Sequence, residues 1–261
     1  MADLFDLSGR VALLTGASRG MGRVMAEALA LHGATVVISS RKQEQLDEAA
    51  AWINAACARK GLAPRAHGVA AHAGRKAELE ALVEETRKLA GPVDILVGNA
   101  GVNVFFGPIS EIPDAAYEKT MQVNVQANLW LARLVADDMK ARGGGAMMFT
   151  SSVGALRPSP TQGVYGMSKL ALVHLVRNLA LEFGPFGIRA NAILPGLVRT
   201  EFAKAVWDTP EGEERARSKI PLRRLGEPED FAGVAVFLAS DASNYVTGQE
   251  ITVCGGTSLW N

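Results

Sequence analysis

Seven short apolar runs recur along the chain: VALLTG, TVVISS, RAHGVAA, DILVGNAG, GAMMFTS, RANAILPG and EITVCGG. Each is separated from the next by a longer stretch of helical period. Runs this apolar have no face to give to water, so they predict strands of a parallel sheet covered on both sides by their crossover helices. The fold class that follows is α/β, a doubly wound, seven-stranded parallel sheet with right-handed βαβ connections. No segment of linker composition and no internal repeat interrupts the 261 residues. One domain spanning 1–261 is therefore expected.

The first run leads into Thr15-Gly16-Ala17-Ser18-Arg19-Gly20-Met21-Gly22, and a helical stretch follows with Val24, Ala28 and Leu31 spaced for burial. Glycines at a strand-to-helix turn let the backbone approach a pyrophosphate, whose charge the free N–H groups of the helix start receive. This makes the sheet Rossmann-type and Gly16, Ser18, Arg19, Gly20, Met21 and Gly22 candidate cofactor-binding residues. About twenty positions further on, where a carboxylate ordinarily grips a ribose 2′-OH, the chain reads Ile38-Ser39-Ser40-Arg41-Lys42. Small hydroxyls followed by two cations, with Arg19 in the turn, suit a 2′-phosphate. Ser40 and Arg41 thus point to NADP(H), with NAD(H) as the alternative. A purely structural reading has Arg41 and Lys42 open an exposed helix and pair with Glu44, Asp47 and Glu48.

Composition narrows the partners. Lys plus Arg and Asp plus Glu each number 27, and this balance argues against nucleic acid or an anionic membrane surface. Small molecules and copies of the chain itself remain. The two cysteines, Cys57 and Cys254, lack metal-ligand spacing and suit a reducing compartment, so no metal site is expected. MADLFDLSGR has no apolar core of signal length, no later stretch approaches a membrane span, and SLWN carries no targeting signal; cytoplasmic residence is the expectation.

The candidate chemistry lies in SSVGALRPSPTQGVYGMSK, which places Ser152 thirteen positions before Tyr165 and Lys169 four after it. Four residues is one helical turn, so the ammonium shares a face with the phenol and is expected to lower its proton affinity. Tyr165 then becomes a usable general acid or base.

With TGASRGMG at 15–22, NAG at 99–101, Asn124 in QVNVQAN, Ser152, Tyr165 with Lys169, Pro195-Gly196 followed by Thr200, and TGQEITVCGG, the chain resembles the short-chain dehydrogenase/reductase family. The likeness covers nearly its whole length, in the family's short single-domain branch. It implies an oxidoreductase that transfers a hydride between NADP(H) and a carbonyl or secondary alcohol. Tyr165 would exchange the proton and Ser152 would orient the substrate oxygen. Lys169 would hold the nicotinamide ribose, and Asn124 a water linking the lysine to solvent. Pro195, Gly196, Val198 and Thr200 would fix the carboxamide, while Asn99, Ala100 and Gly101 line the cofactor. The resemblance also implies pairing of long helices around 114–141 and 165–183 into a homotetramer.

Three positions depart from the family. The usual NNAG reads Gly98-Asn99-Ala100-Gly101; the aspartate common after the third strand is replaced in Ala71-His72-Ala73-Gly74, leaving His72 as a candidate adenine contact; and the usual DGG is Cys254-Gly255-Gly256. His32, His67 and His174 receive no role. Residues 154–163 read as a loop, and 199–220 as a helical segment covering the substrate, its charge run from Glu211 to Lys219 a solvated face. Val102, Asn103, Val104, Phe105, Phe106, Leu156, Met167, Leu197, Phe202 and Trp207 form a mostly apolar substrate wall, which suggests a hydrophobic carbonyl compound, with Arg157 left as an exposed loop residue. Two other functions compete. Carbon–carbon double-bond reductases of the family generally space tyrosine and lysine more widely and lack the serine. A non-catalytic dinucleotide sensor would be expected to lose part of the tetrad.

Overall fold

The computed structural model describes residues 3–259. All seven runs form strands: β1 (Val11–Thr15), β2 (Thr35–Ser40), β3 (Ala66–Ala70), β4 (Ile95–Gly98), β5 (Gly145–Thr150), β6 (Ile188–Pro195) and β7 (Glu250–Val253). Every pairing is parallel, in the order β3-β2-β1-β4-β5-β6-β7. The helices are α1 (Gly20–Leu31), α2 (Gln43–Arg59), α3 (Lys76–Ala90), α4 (Asp114–Met121), α5 (Ala127–Ala141), α6 (Gly163–Phe183), α7 (Lys204–Trp207), α8 (Pro210–Ser218) and α9 (Ala232–Ala239). A π-turn, Gln122–Gln126, joins α4 to α5.

Alternation along each strand divides the core in two. Leu14, Val36 and Ile38 face α1, α2 and α9 on one side; Leu13, Val37 and Leu96 face α3, α5 and α6 on the other. Burial on both faces leaves only the strand ends for function. The order of strands reverses between β1 and β4, and there the carboxyl ends open a crevice, the usual ligand position in an open parallel sheet.

Local sequence explains the remaining elements. The 154–163 loop opens with a single 3₁₀ turn, Val153–Ala155, and is pinned where Gly107 donates to Thr161 O at 3.0 Å. The polar stretch 199–220 folds as α7 and α8. Thr209 caps α8 by accepting from Gly212 N at 3.1 Å, Pro210 opens the helix, and Glu211 and Glu213 lie in its first turn. Among the described residues, no helix is long and apolar enough to cross a membrane, and no group of three His, Cys, Asp or Glu side chains could hold a metal ion.

Candidate active site

The glycine turn lies at the mouth of the crevice. Gly16 and Gly20 have φ of 63° and 57°, a region that favours glycine. Packing sets a second requirement: a Cβ on Gly16 would lie 2.8 Å from Ala100 Cα, and one on Gly22 2.4 Å from Gly16 O. Helix α1 therefore sits directly on the turn. No side chain caps its start at Arg19 and no acidic residue occupies its first turn, so its N–H groups stay available to an anion. Gly20 also approaches Thr200, whose Cγ2 would be 3.5 Å from a Cβ there, bringing the Pro195–Thr200 segment to the same mouth.

Asn99 stitches the crevice floor. Its Nδ2 donates to Gly16 O at 2.9 Å, and its Oδ1 accepts from Thr150 Oγ1 at 3.0 Å, tying β4 to the turn and to β5. At the end of β2, the Ser40 hydroxyl is buried with no partner among the described residues, whereas Arg41 and Lys42 are exposed. Asp47, a proposed partner of these cations, instead accepts from Gln43 at 2.8 Å. An orphaned hydroxyl flanked by free cations, beside bare helix N–H groups, fits the phosphate end of a dinucleotide. His72 is half-buried, and its Nδ1 accepts from Gly74 N at 3.0 Å. On the other side of the ring, Nε2 lies 3.4 Å from Lys119 Nζ. Burial, aided by Lys119 and Arg75, holds His72 below its ordinary pKa.

Helix α6 delivers Tyr165 and Lys169 to the other end of the crevice. Ser152 Oγ accepts from Gly154 N at 3.0 Å and lies beside the Tyr165 phenol, whose ionised form it favours. Lys169 is 3% exposed and donates to Thr150 O at 2.8 Å. Burial depresses its pKa to about 8. The phenol departs from expectation: burial raises the Tyr165 pKa, and the neighbouring Ser152 hydroxyl opposes the rise. The ammonium stands 5.7 Å from the ring centroid, with one of its three N–H groups donated to Thr150 O.

Asn124 is buried in the π-turn. Its Oδ1 accepts from Val102 N at 2.8 Å, and its Nδ2 donates to Val102 O and Ser168 Oγ, each at 2.9 Å. Both amide hydrogens are therefore engaged, and the Asn124 main-chain carbonyl accepts from Asn128 Nδ2 at 2.9 Å. Thr150 and Ser168 were not singled out in the sequence, although Ser168 lies one turn beyond Tyr165 and donates to its carbonyl at 2.7 Å.

The apolar wall divides. Val104, Phe106, Leu156, Met167 and Phe202 are exposed, and the Phe202 ring stands 6.0 Å from that of Tyr165. Asn103, whose Nδ2 is buried without a partner among the described residues, lines a cavity with Phe105, Ile109, Val164 and Tyr165. Arg157 does not reach for solvent: it donates to Ser258 O at 2.7 Å. Trp207 instead stacks under the Arg199 guanidinium at 5.0 Å. Cys254 packs on Gly196, where a Cβ would meet its Cα at 2.8 Å.

Comparison with known proteins agrees with this geometry. A family model described as Enoyl-(Acyl carrier protein) reductase matches residues 16–258. Dehydrogenase/reductase SDR family member 4 of Homo sapiens is 41% identical over 251 residues, covering 96% of this chain and 88% of the relative. Among solved structures, a gluconate 5-dehydrogenase from Burkholderia cenocepacia J2315 in complex with NADP and tartrate superposes with a TM-score of 0.90 at 32% identity, covering 99% of each chain. A 7 alpha-hydroxysteroid dehydrogenase complexed with NADH and 7-oxo glycochenodeoxycholic acid gives 0.91 at 35% identity, covering 98% of this chain and 97% of the other. The chain belongs to the short-chain dehydrogenase/reductase family. It is an NAD(P)-dependent oxidoreductase acting on CH–OH or C=O groups.

Proposed function

We propose that the chain is an NADP(H)-dependent carbonyl reductase or secondary-alcohol dehydrogenase for hydrophobic substrates, with Tyr165 as general acid and base. The observation that carries this reading is the convergence of Ser152, Tyr165 and Lys169 at the strand ends that also hold the glycine turn. Gly16 to Gly22, Asn99 to Gly101, Ser40 with Arg41, His72 and the Pro195–Thr200 segment would hold the dinucleotide, which supplies the hydride donor or acceptor when bound. In reduction, Ser152 orients the carbonyl oxygen and Tyr165 donates its proton to it; in oxidation, the phenolate takes the proton back. Bringing even an unperturbed phenol, with pKa about 10, to neutrality needs about 4 kcal/mol of preferential phenolate stabilisation, and the burial of Tyr165 adds to that need. Lys169, able to lose and regain a proton near neutrality, replenishes the tyrosine, and the Asn124 carbonyl holds the water behind it.

The orphaned Ser40 hydroxyl and the unpaired cations beside it favour NADP(H). Exposed Phe106 and Phe202, 62% and 56% accessible, favour an apolar substrate, with Phe202 carried on the 199–220 segment that covers it. Ser152 and the four-residue step to Lys169 favour a carbonyl over a carbon–carbon double bond, the description of the matching family model notwithstanding. A homotetramer fits the outer faces of α4 and α6, where Tyr117, Leu170 and Leu181 stand exposed. The test follows nicotinamide absorbance with a panel of ketones, aldehydes and secondary alcohols. Tyr165→Phe should abolish turnover while keeping NADPH affinity, and retained turnover overturns the mechanism.

A further inference from the structure

Strand β4 ends at Gly98, where the family pattern has the first asparagine of NNAG, and the structure shows what replaces that side chain. A Cβ at 98 would lie 2.2 Å from Asn128 Oδ1 and 2.5 Å from Phe149 Cδ1, closer than packed atoms approach. The space is filled from helix α5 by Asn128, itself 2% exposed. Its Nδ2 donates at 2.9 Å to the Asn124 main-chain carbonyl. That carbonyl belongs to the π-turn Gln122–Gln126, a slip in the helical ladder that recurs at functional sites.

We propose that Asn128 is a positioning residue for Asn124, and that Gly98 is the glycine it requires; together they supply from a helix the carboxamide missing from the strand. The connections run onward from there. The Asn124 side chain clamps Val102 through both its N–H and its carbonyl. Val102 follows Gly101, against which Lys169 Nζ packs, 3.1 Å from where a Cβ would stand. Losing the Asn128 bond lets the Asn124 carbonyl shift and loosens this chain of contacts as far as the lysine.

This inference rests on the proposed roles of Tyr165, Lys169 and Asn124, so Tyr165→Phe is assayed beside it. Four forms of the full chain are compared: wild type, Asn128→Leu, Gly98→Asn and the double variant Gly98→Asn/Asn128→Ala. The readouts are kcat, KM, the pH profile of kcat and amide hydrogen exchange at Val102. Asn128→Leu should lower kcat about tenfold or more with KM within about twofold, displace the pH profile and speed exchange at Val102. Gly98→Asn should lose more, because two carboxamides then compete for one space. The double variant, with the carboxamide restored from the strand side, should exceed Gly98→Asn in kcat without reaching wild type, because Phe149 still crowds position 98. If Asn128→Leu fails to fold, Asn128→Ala takes its place with the same expected loss. An unchanged kcat and pH profile in the Asn128 variant, or a double variant no better than Gly98→Asn, overturns the inference. Persistent turnover in Tyr165→Phe overturns the underlying mechanism instead.

Discussion

Lys169 stands one helical turn beyond Tyr165, yet its ammonium donates to Thr150 O at 2.8 Å and lies 5.7 Å from the Tyr165 ring centroid. The lysine is thus held by the strand end rather than by the tyrosine. One uncharged-side carbonyl bond is a poor substitute for hydration of a buried ammonium, which is why its pKa falls to about 8.

That depression predicts a trade between function and stability. Between about pH 8 and the ordinary lysine value of 10.5, the unfolded chain holds a proton that the folded chain has lost, so stability rises with pH across this window. Below pH 8 both states are charged and the full cost of burying the cation is present, about 3 kcal/mol. Lys169→Met should therefore stabilise the protein at pH 7 by up to about that amount, flatten the rise and abolish turnover. Urea unfolding at pH 7 and pH 9.5 measures both effects; an equally pH-dependent variant would contradict the cause given.

Cofactor choice should respond to the end of β2. The buried Ser40 hydroxyl has no partner among the described residues, and the neighbouring cations remain exposed. Ser40→Asp places a carboxylate where a 2′-phosphate is proposed to lie, and it should repel that phosphate while accepting from a free 2′-OH. The ratio of kcat/KM for NADPH over NADH should fall by roughly tenfold or more. Arg41→Ala should lower the same ratio through the NADPH side alone. A ratio favouring NADH in the wild type, unmoved by either change, would reverse the cofactor assignment.

Much of the scaffold was legible because parallel strands and glycine turns write themselves locally. All seven strands fall on the apolar runs, and Tyr165 and Lys169, four residues apart, lie on one turn of α6. What escaped is non-local or cooperative. The π-turn at Gln122–Gln126 shifts the helical period by a single residue and leaves no compositional mark. The Asn128–Gly98 exchange joins positions thirty apart on different elements. The raised phenol pKa depends on how far the half-buried Tyr165 ring is withdrawn from water, which residue spacing does not encode. The run from Glu211 to Lys219 read as a solvated face, and Glu214 does pair locally with Arg217. Glu213, however, turns inward to Arg199, fourteen residues earlier.

Arg199 gathers the covering segment onto the strand end. Its Nη2 and Nη1 meet the two carboxylate oxygens of Glu213 on α8 at 2.7 and 3.2 Å. Its Nε donates to Glu227 at 3.1 Å, and its plane lies over Trp207 of α7. The backbone at 199 is itself tied down, donating to Gly226 O at 2.8 Å. One guanidinium therefore orients both helices next to Phe202 and the Tyr165 ring. Arg199→Ala should raise KM by roughly threefold to tenfold with little change in kcat, because positioning of the apolar cover is lost while the proton-transfer groups stay in place. Arg199→Lys should restore only part of the effect, since a point charge cannot make the two-pronged contact. Arg199 holds the Glu213 carboxyl below its ordinary pKa, so the clasp should persist at neutrality and loosen as pH falls through the lowered value. Limited chymotrypsin digestion at Phe202 and Trp207 reports on it directly: faster cleavage is expected in Arg199→Ala at neutral pH, and indistinguishable cleavage would show that the segment is held by other contacts.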